Sequence, residues 1–245
     1  MSEKKSTPKA TPGALDWFVL TKKTTLMQRL ADLVRTGHTK YVEGQIPAEK
    51  APYFAAKIDA LYLVGQNKLQ ASRHRKAGNA SFRLLMLASE GDAQIRWYLL
   101  RTDGRMPAEA SREKWRDAFD DRIALTGYEL VRLTKPGAKA PVYTWRYTKD
   151  RAQDLREAIL HAIRTKRDDE LRQLIHSIFK TPGFAGARDQ VKKMVDLIKD
   201  EWKRSRSKAD PLPDIPTRLG YVRRLPDVGL KLSELGIKVR PRRQG

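Results

Sequence analysis

Two hydrophobic periods divide the chain, one of helical spacing and one of strict alternation. The compact apolar run Leu15-Asp16-Trp17-Phe18-Val19-Leu20 comes first. Leu26, Met27, Leu30, Leu33 and Val34 then fall on one helical face and predict a helix over 24–35, ended by Gly37. Gln45-Ile46-Pro47 marks a boundary. A second helix is predicted over 48–64, with Phe54, Ile58, Leu61 and Tyr62 as its buried stripe and Gly65 as its stop. The segment 66–81 holds Lys68, Arg73, Arg75 and Lys76 without a single acid. It closes on Gly78-Asn79 and is expected to be a loop.

The middle of the chain alternates. Strands are predicted over 82–87 and 95–100, joined through Glu90-Gly91-Asp92, and over 128–133 and 142–147. Between the pairs, 107–119 reads as a helix with Trp115, Ala118 and Phe119 inward. The expected fold is therefore α+β: a four-stranded antiparallel sheet in β-β-α-β-β order, covered by helices. Three helical stripes follow. They are Leu155/Ala158/Ile159/Ala162/Ile163, Leu171/Leu174/Ile175/Ile178/Phe179 and Val191/Met194/Val195/Ile198/Trp202, with Thr181-Pro182-Gly183 as a sharp break. The last two helices resemble a helix-turn-helix in outline, although 181–186 is longer than the usual turn of three or four residues. From Lys203 onward the character changes to basic and proline-rich, with 12 Lys/Arg against 4 Asp/Glu. Only Val228, Leu230, Leu232, Leu235 and Ile237 form an apolar patch there, so little core is expected. The organisation expected is a flexible basic arm over 1–14, an α+β nucleic-acid-binding domain over 15–206 and a flexible basic Pro-rich tail over 207–245.

Charge changes the picture from fold to partner. The 245 residues carry 50 Lys/Arg against 29 Asp/Glu, a formal net charge of +21. Such an excess repels itself in the compact state. A polyanion relieves the repulsion, and counterion release drives sequence-independent binding to nucleic acid. A basic surface also aids solubility, but a pI near 10.2 exceeds what solubility needs. The chain has no cysteine, which excludes disulfides, thiolate catalysis and Cys-based metal sites. No apolar run is long enough to span a bilayer, and the polar N-terminus lacks the apolar core of a secretory signal. The expected location is cytoplasmic, with no membrane partner.

Catalytic patterns are sparse. The four histidines, His38, His74, His161 and His176, form no metal-binding pair, and no Gly-rich phosphate loop or G-x-S-x-G elbow occurs. His161-Ala162-Ile163-Arg164 matches the H-x-x-R element of tyrosine recombinases, with Tyr221 the only downstream tyrosine, in a Pro/Arg-rich stretch. So short a match is common by chance. Asp120-Asp121, Asp168-Asp169-Glu170 and Asp200-Glu201 are acids of the type that nucleases use to hold metals. Helix-dipole and surface roles explain them as well. The expectation is a protein without catalytic activity, cofactor or metal; a phosphodiester-cleaving or recombinase-type enzyme is the alternative from another class.

The basic groups give the candidate interface. Lys68, Arg73, Arg75 and Lys76 suit adjacent phosphates, which position a strand without reading its sequence. Lys135 and Lys139 sit at the tip of the second strand pair, where a β-ribbon could reach a groove. Arg188, Lys192, Lys193, Lys203, Arg204 and Arg206 lie along the last helix. Thr144 and Arg146 lie on one face of the strand over 142–147, with Arg132 as their neighbour. Tyr143, Trp145 and Tyr147 alternate on the other face, with Trp97 as a further member. They fit either a base-stacking platform or, more simply, a core covered by helices. The function expected is DNA binding, favoured over RNA. The setting expected is an accessory factor in bacterial DNA processing (replication, recombination or plasmid and mobile-element transfer), with other proteins of such a complex as further partners. The alternative is a protein of ribosome-associated type that binds structured RNA.

Overall fold

The computed structural model describes residues 16–89, 92–108, 113–134, 137 and 140–235. The chain divides into two compact units, one of residues 1–117 with 226–245 and one of residues 118–225.

In the first unit, alternation along β3 (Phe82–Leu87) and β4 (Gln94–Arg101) puts Phe82, Leu84, Met86, Ile95 and Leu99 on one sheet face. Ala51, Ala55, Ile58 and Tyr62 of α2 (Ala51–Tyr62) pack on that face. Tyr98 and Leu100 point the other way and are fully buried. Helix α1 (Lys23–Arg35) buries Leu26, Met27, Leu30 and Val34 and lies against β3 and β1 (Phe18–Leu20). The sheet also contains β2 (Lys40–Pro47), β5 (Arg116–Asp117) and β9 (Gly229–Lys231). Its strand order is β5-β2-β4-β3-β1-β9, with only the β1–β3 pair parallel.

The second unit has a three-stranded antiparallel sheet, β6 (Ala124–Leu125), β7 (Tyr128–Leu133) and β8 (Val142–Tyr147). Helices α4 (Lys149–Arg164), α5 (Asp168–Phe179) and α6 (Ala185–Ser205) complete it. α6 packs on β8 and α4, burying Val191, Met194, Ile198 and Trp202. Gln190 covers the open edge of β8. Its Nε2 donates to the Tyr147 carbonyl at 3.2 Å, and its Oε1 accepts from the Tyr147 N–H at 2.6 Å.

The α+β class holds, but the single four-stranded sheet does not: six strands form one sheet and three another. β2 went unrecognised because Gln45-Ile46-Pro47 reads as a boundary before a helix. Gly44 faces Trp97 across β4, and a Cβ there would lie 2.8 Å from the indole. The glycine makes room for the ring. The helix expected over 107–119 is also corrected, with 109–112 outside the described residues. Arg116 and Asp117 pair with Tyr41 and Lys40 of β2 as a strand. Cross-strand partners outweigh local propensity there: Arg116 bonds Glu43 at 2.8 Å and lies 4.3 Å from the Tyr41 ring centroid, and Lys40 pairs with Asp117. Trp115 packs against Tyr62 and Phe82, and Ala118 is buried, but Phe119 is exposed.

The flexible tail is corrected as well, up to its last described residue, Leu235. After α6 the chain runs extended along the second unit. The Val222 N–H donates to the Gly183 carbonyl at 3.1 Å, where a Cβ on Gly183 would lie 2.3 Å from the Gly220 oxygen. Beyond it, β9 adds to the sheet of the first unit, and Leu232 and Leu235 are buried in its core. The expected arm over 1–14 lies outside the described residues.

Candidate nucleic-acid interface

Residues 68–76, expected to be a loop, form helix α3 (Lys68–Lys76). A reciprocal cap starts it: Asn67 Oδ1 accepts from the Gln70 N–H and Gln70 Oε1 from the Asn67 N–H, both at 2.9 Å. The N-x-x-Q spacing was the sequence signal for this helix. Ala71 is the only side chain α3 buries, so the helix is held by its cap and by contacts at its ends. Arg105 Nη2 donates to the Ala77 carbonyl at 2.6 Å just past its last turn.

This helix exposes Lys68, Arg73, Arg75 and Lys76 together. Among the described residues none of the four has a carboxylate partner, and the sequence contains no acid between Asp59 and Glu90. The three cations of the last turn suit the helix dipole, whereas Lys68 in the first turn opposes it. Arg83, which sequence reasoning did not single out, stands beside them on β3. Its Nη1 donates to the carbonyls of Gln66 at 3.1 Å and Val64 at 3.4 Å. Burial and then the Arg75 charge hold the Arg83 pKa below its ordinary value. The signal for Arg83 was its place in the same acid-free run.

His38 lies within reach of this charge. Burial first, then Arg83 and Arg75, push its pKa down to about 4 from 6.5. The folded state therefore takes up this proton less readily than the unfolded chain, and stability falls as pH drops from about 6.5 toward 4. Replacing His38 with Gln is expected to flatten that part of the stability–pH curve, as measured by urea unfolding at a series of pH values. An unchanged slope would remove His38 as its source.

The cations of the second unit are placed differently. Lys192, Lys193 and Lys203 are exposed on α6, where Asp189, Asp196 and Asp200 interleave with them and Lys192 lies 3.9 Å from Asp189. Arg188 sits 3.4 Å from the ring centroid of Tyr221. Arg204 pairs with Glu201. Arg206 pairs with Asp168 and covers the Trp202 ring at 4.3 Å, its side chain only 4% exposed. Of the predicted set, α3 brings together Lys68, Arg73, Arg75 and Lys76; α6 and the residue just past it hold the other described ones. Lys135 and Lys139 lie outside the described residues.

Some of the candidate catalytic groups are engaged in fold contacts. Arg164 of the H-x-x-R element bonds the buried Glu201 at 2.7 Å, and Glu201 also accepts from Ser205 at 2.8 Å. The Arg164 bond leads in holding the Glu201 carboxyl down at about 2, against its burial. Asp169 pairs with Arg172 and Glu170 with Arg167. Among the described residues no three His, Asp or Glu groups converge in a metal-binding arrangement. Tyr143 is half-buried against Phe119, and Trp145 and Tyr147 are buried, so that strand face is core.

No protein-family model, curated protein or solved structure matches the chain. Among the described residues no helix is long and apolar enough to cross a membrane.

Proposed function

We propose that the chain is a non-catalytic nucleic-acid-binding protein that holds DNA mainly through its phosphates, with α3 as the primary contact. One observation carries this reading: four exposed cations on a nine-residue helix, with no carboxylate partner among the described residues. Arg73 and Lys76 stand three residues apart on the helix, a spacing at which like charges repel, so an anion that meets them relieves that repulsion. A phosphodiester backbone supplies anions at a spacing that several side chains of one helix can reach together. The role is accessory: the site positions a strand.

Replacing Arg73, Arg75 and Lys76 together with Ala is expected to weaken DNA binding by roughly one to two orders of magnitude in moderate salt. It is also expected to reduce the slope of log affinity against log salt by about three or less. Fluorescence anisotropy across a salt series measures both. An unchanged slope would take α3 out of the interface. Stronger retention of structured RNA than of DNA by the parent protein would move the reading to RNA.

A further inference from the structure

A cleft of about 540 Å³ opens in the first unit directly at the start of α3. Asp16, Phe18, Gln66, Asn67, Lys68 and Arg83 line it. Its size falls in the range of small-molecule sites. Its chemistry differs from that of the helix beside it. Phe18 is a large aromatic left 43% exposed at the end of a strand. Arg83 uses Nη1 for backbone carbonyls, and no bond from its Nε or Nη2 is found among the described residues. Asn67 spends its side-chain amide oxygen on the cap, and its side-chain amide nitrogen, like the whole Gln66 side-chain amide, has no hydrogen-bond partner among the described residues. Asp16 is a carboxylate at the same opening, held in its charged form chiefly by the Ser233 hydroxyl at 2.6 Å.

A phosphate alone does not explain this set, because Asp16 repels it. A nucleobase does. It offers a π-face to Phe18, amino hydrogens to Asp16, and ring or carbonyl acceptors to Arg83 and the amides. A base inside a duplex stack presents no free face, so the occupant has to be unpaired. Lys68 lines the cleft and is also the first of the α3 cations, so the cleft opens at the start of that helix.

We propose that this cleft receives an unpaired nucleobase of a DNA strand whose phosphates run along α3, so that the protein prefers single-stranded DNA to a duplex. This rests on the nucleic-acid reading above. It adds the strandedness of the substrate and the residues that sense it.

The test uses the full chain and one labelled oligodeoxynucleotide of mixed sequence, free and annealed to its complement, read by anisotropy. The parent protein is expected to bind the free strand more tightly. Phe18→Ala is expected to lower single-strand affinity about 10-fold, the scale of losing one stacked base, and to leave duplex affinity unchanged. Phe18→Trp, which keeps a stacking face, should retain single-strand binding. Equal parent affinity for the two probes would overturn the proposal. So would a Phe18→Ala variant that moves neither probe, or both alike. The α3 triple variant separates the two levels. If it weakens both probes while Phe18→Ala is inert, the cleft falls and the phosphate reading stands. If it weakens neither, the phosphate reading falls and takes the cleft with it.

Discussion

Replacing Leu232 and Leu235 together with Ala is expected to lower the thermal unfolding temperature of the protein by roughly 10–25 °C. Both side chains are buried, at 3% and 6% exposure, in the cluster that joins α2 to the large sheet. Each Leu→Ala change in such a site costs about 2–5 kcal/mol, with the lower end fitting a cluster margin that can relax. The two residues are neighbours, so their costs need not add. The backbone around them is tied in as well. The Leu232 N–H donates to the Trp17 carbonyl at 2.9 Å, Ser233 bonds Asp16, and β9 pairs with β1 over Phe18–Leu20. Loss of amide exchange protection should therefore concentrate in β1 and β9. Lys231→Ala, an exposed change on the same strand, is the control and should stay within about 0.5 kcal/mol of the parent. A double variant that melts like the parent would restore the picture of an uncommitted basic tail.

That picture came from composition, and it shows where a sequence stops being informative. Prolines and cations dominate the segment after Lys203, and the apolar patch of Val228, Leu230, Leu232, Leu235 and Ile237 looks too small to make a core. It need not make one. Leu232 and Leu235 complete a core otherwise built by buried residues between Val19 and Leu99, a relation with no local mark. The same holds for sheet membership. The alternation of β3, β4, β7 and β8 was legible because it is written into each strand. Which strands share a sheet was not, since that depends on β2, whose glycine is explained only by the tryptophan opposite, and on β1 and β9, which are three residues each. The candidate interface divides in the same way. An acid-free run with four cations was visible as such, and only its helical form was missed. Whether an individual arginine is available to a ligand was not visible. Arg206 looks like its neighbours in sequence but is claimed by Asp168, 38 positions away. Arg83 shares the acid-free run in sequence, but that it stands beside the α3 group is set by β3.

Trp145→Ala should bring the second unit close to unfolding, with a loss of about 3–5 kcal/mol. The side chain is fully buried at the centre of β8, and α6 begins against its backbone: a Cβ on Gly186 would lie 2.8 Å from the Trp145 carbonyl oxygen. Truncation empties the space between the small sheet and the helices that cover it. Amide exchange should accelerate through β7, β8 and α6, with Trp145→Phe losing only part of the stability. Tyr143→Ala, two residues along the same face but only half-buried, should cost far less. This ordering separates two readings of the Tyr143/Trp145/Tyr147 alternation. If the face were a stacking platform for bases, Trp145→Ala would weaken nucleic-acid binding and leave stability nearly untouched, and Tyr143 and Trp145 would matter alike. If it is core, stability tracks burial residue by residue, and DNA affinity measured below the unfolding transition stays with α3.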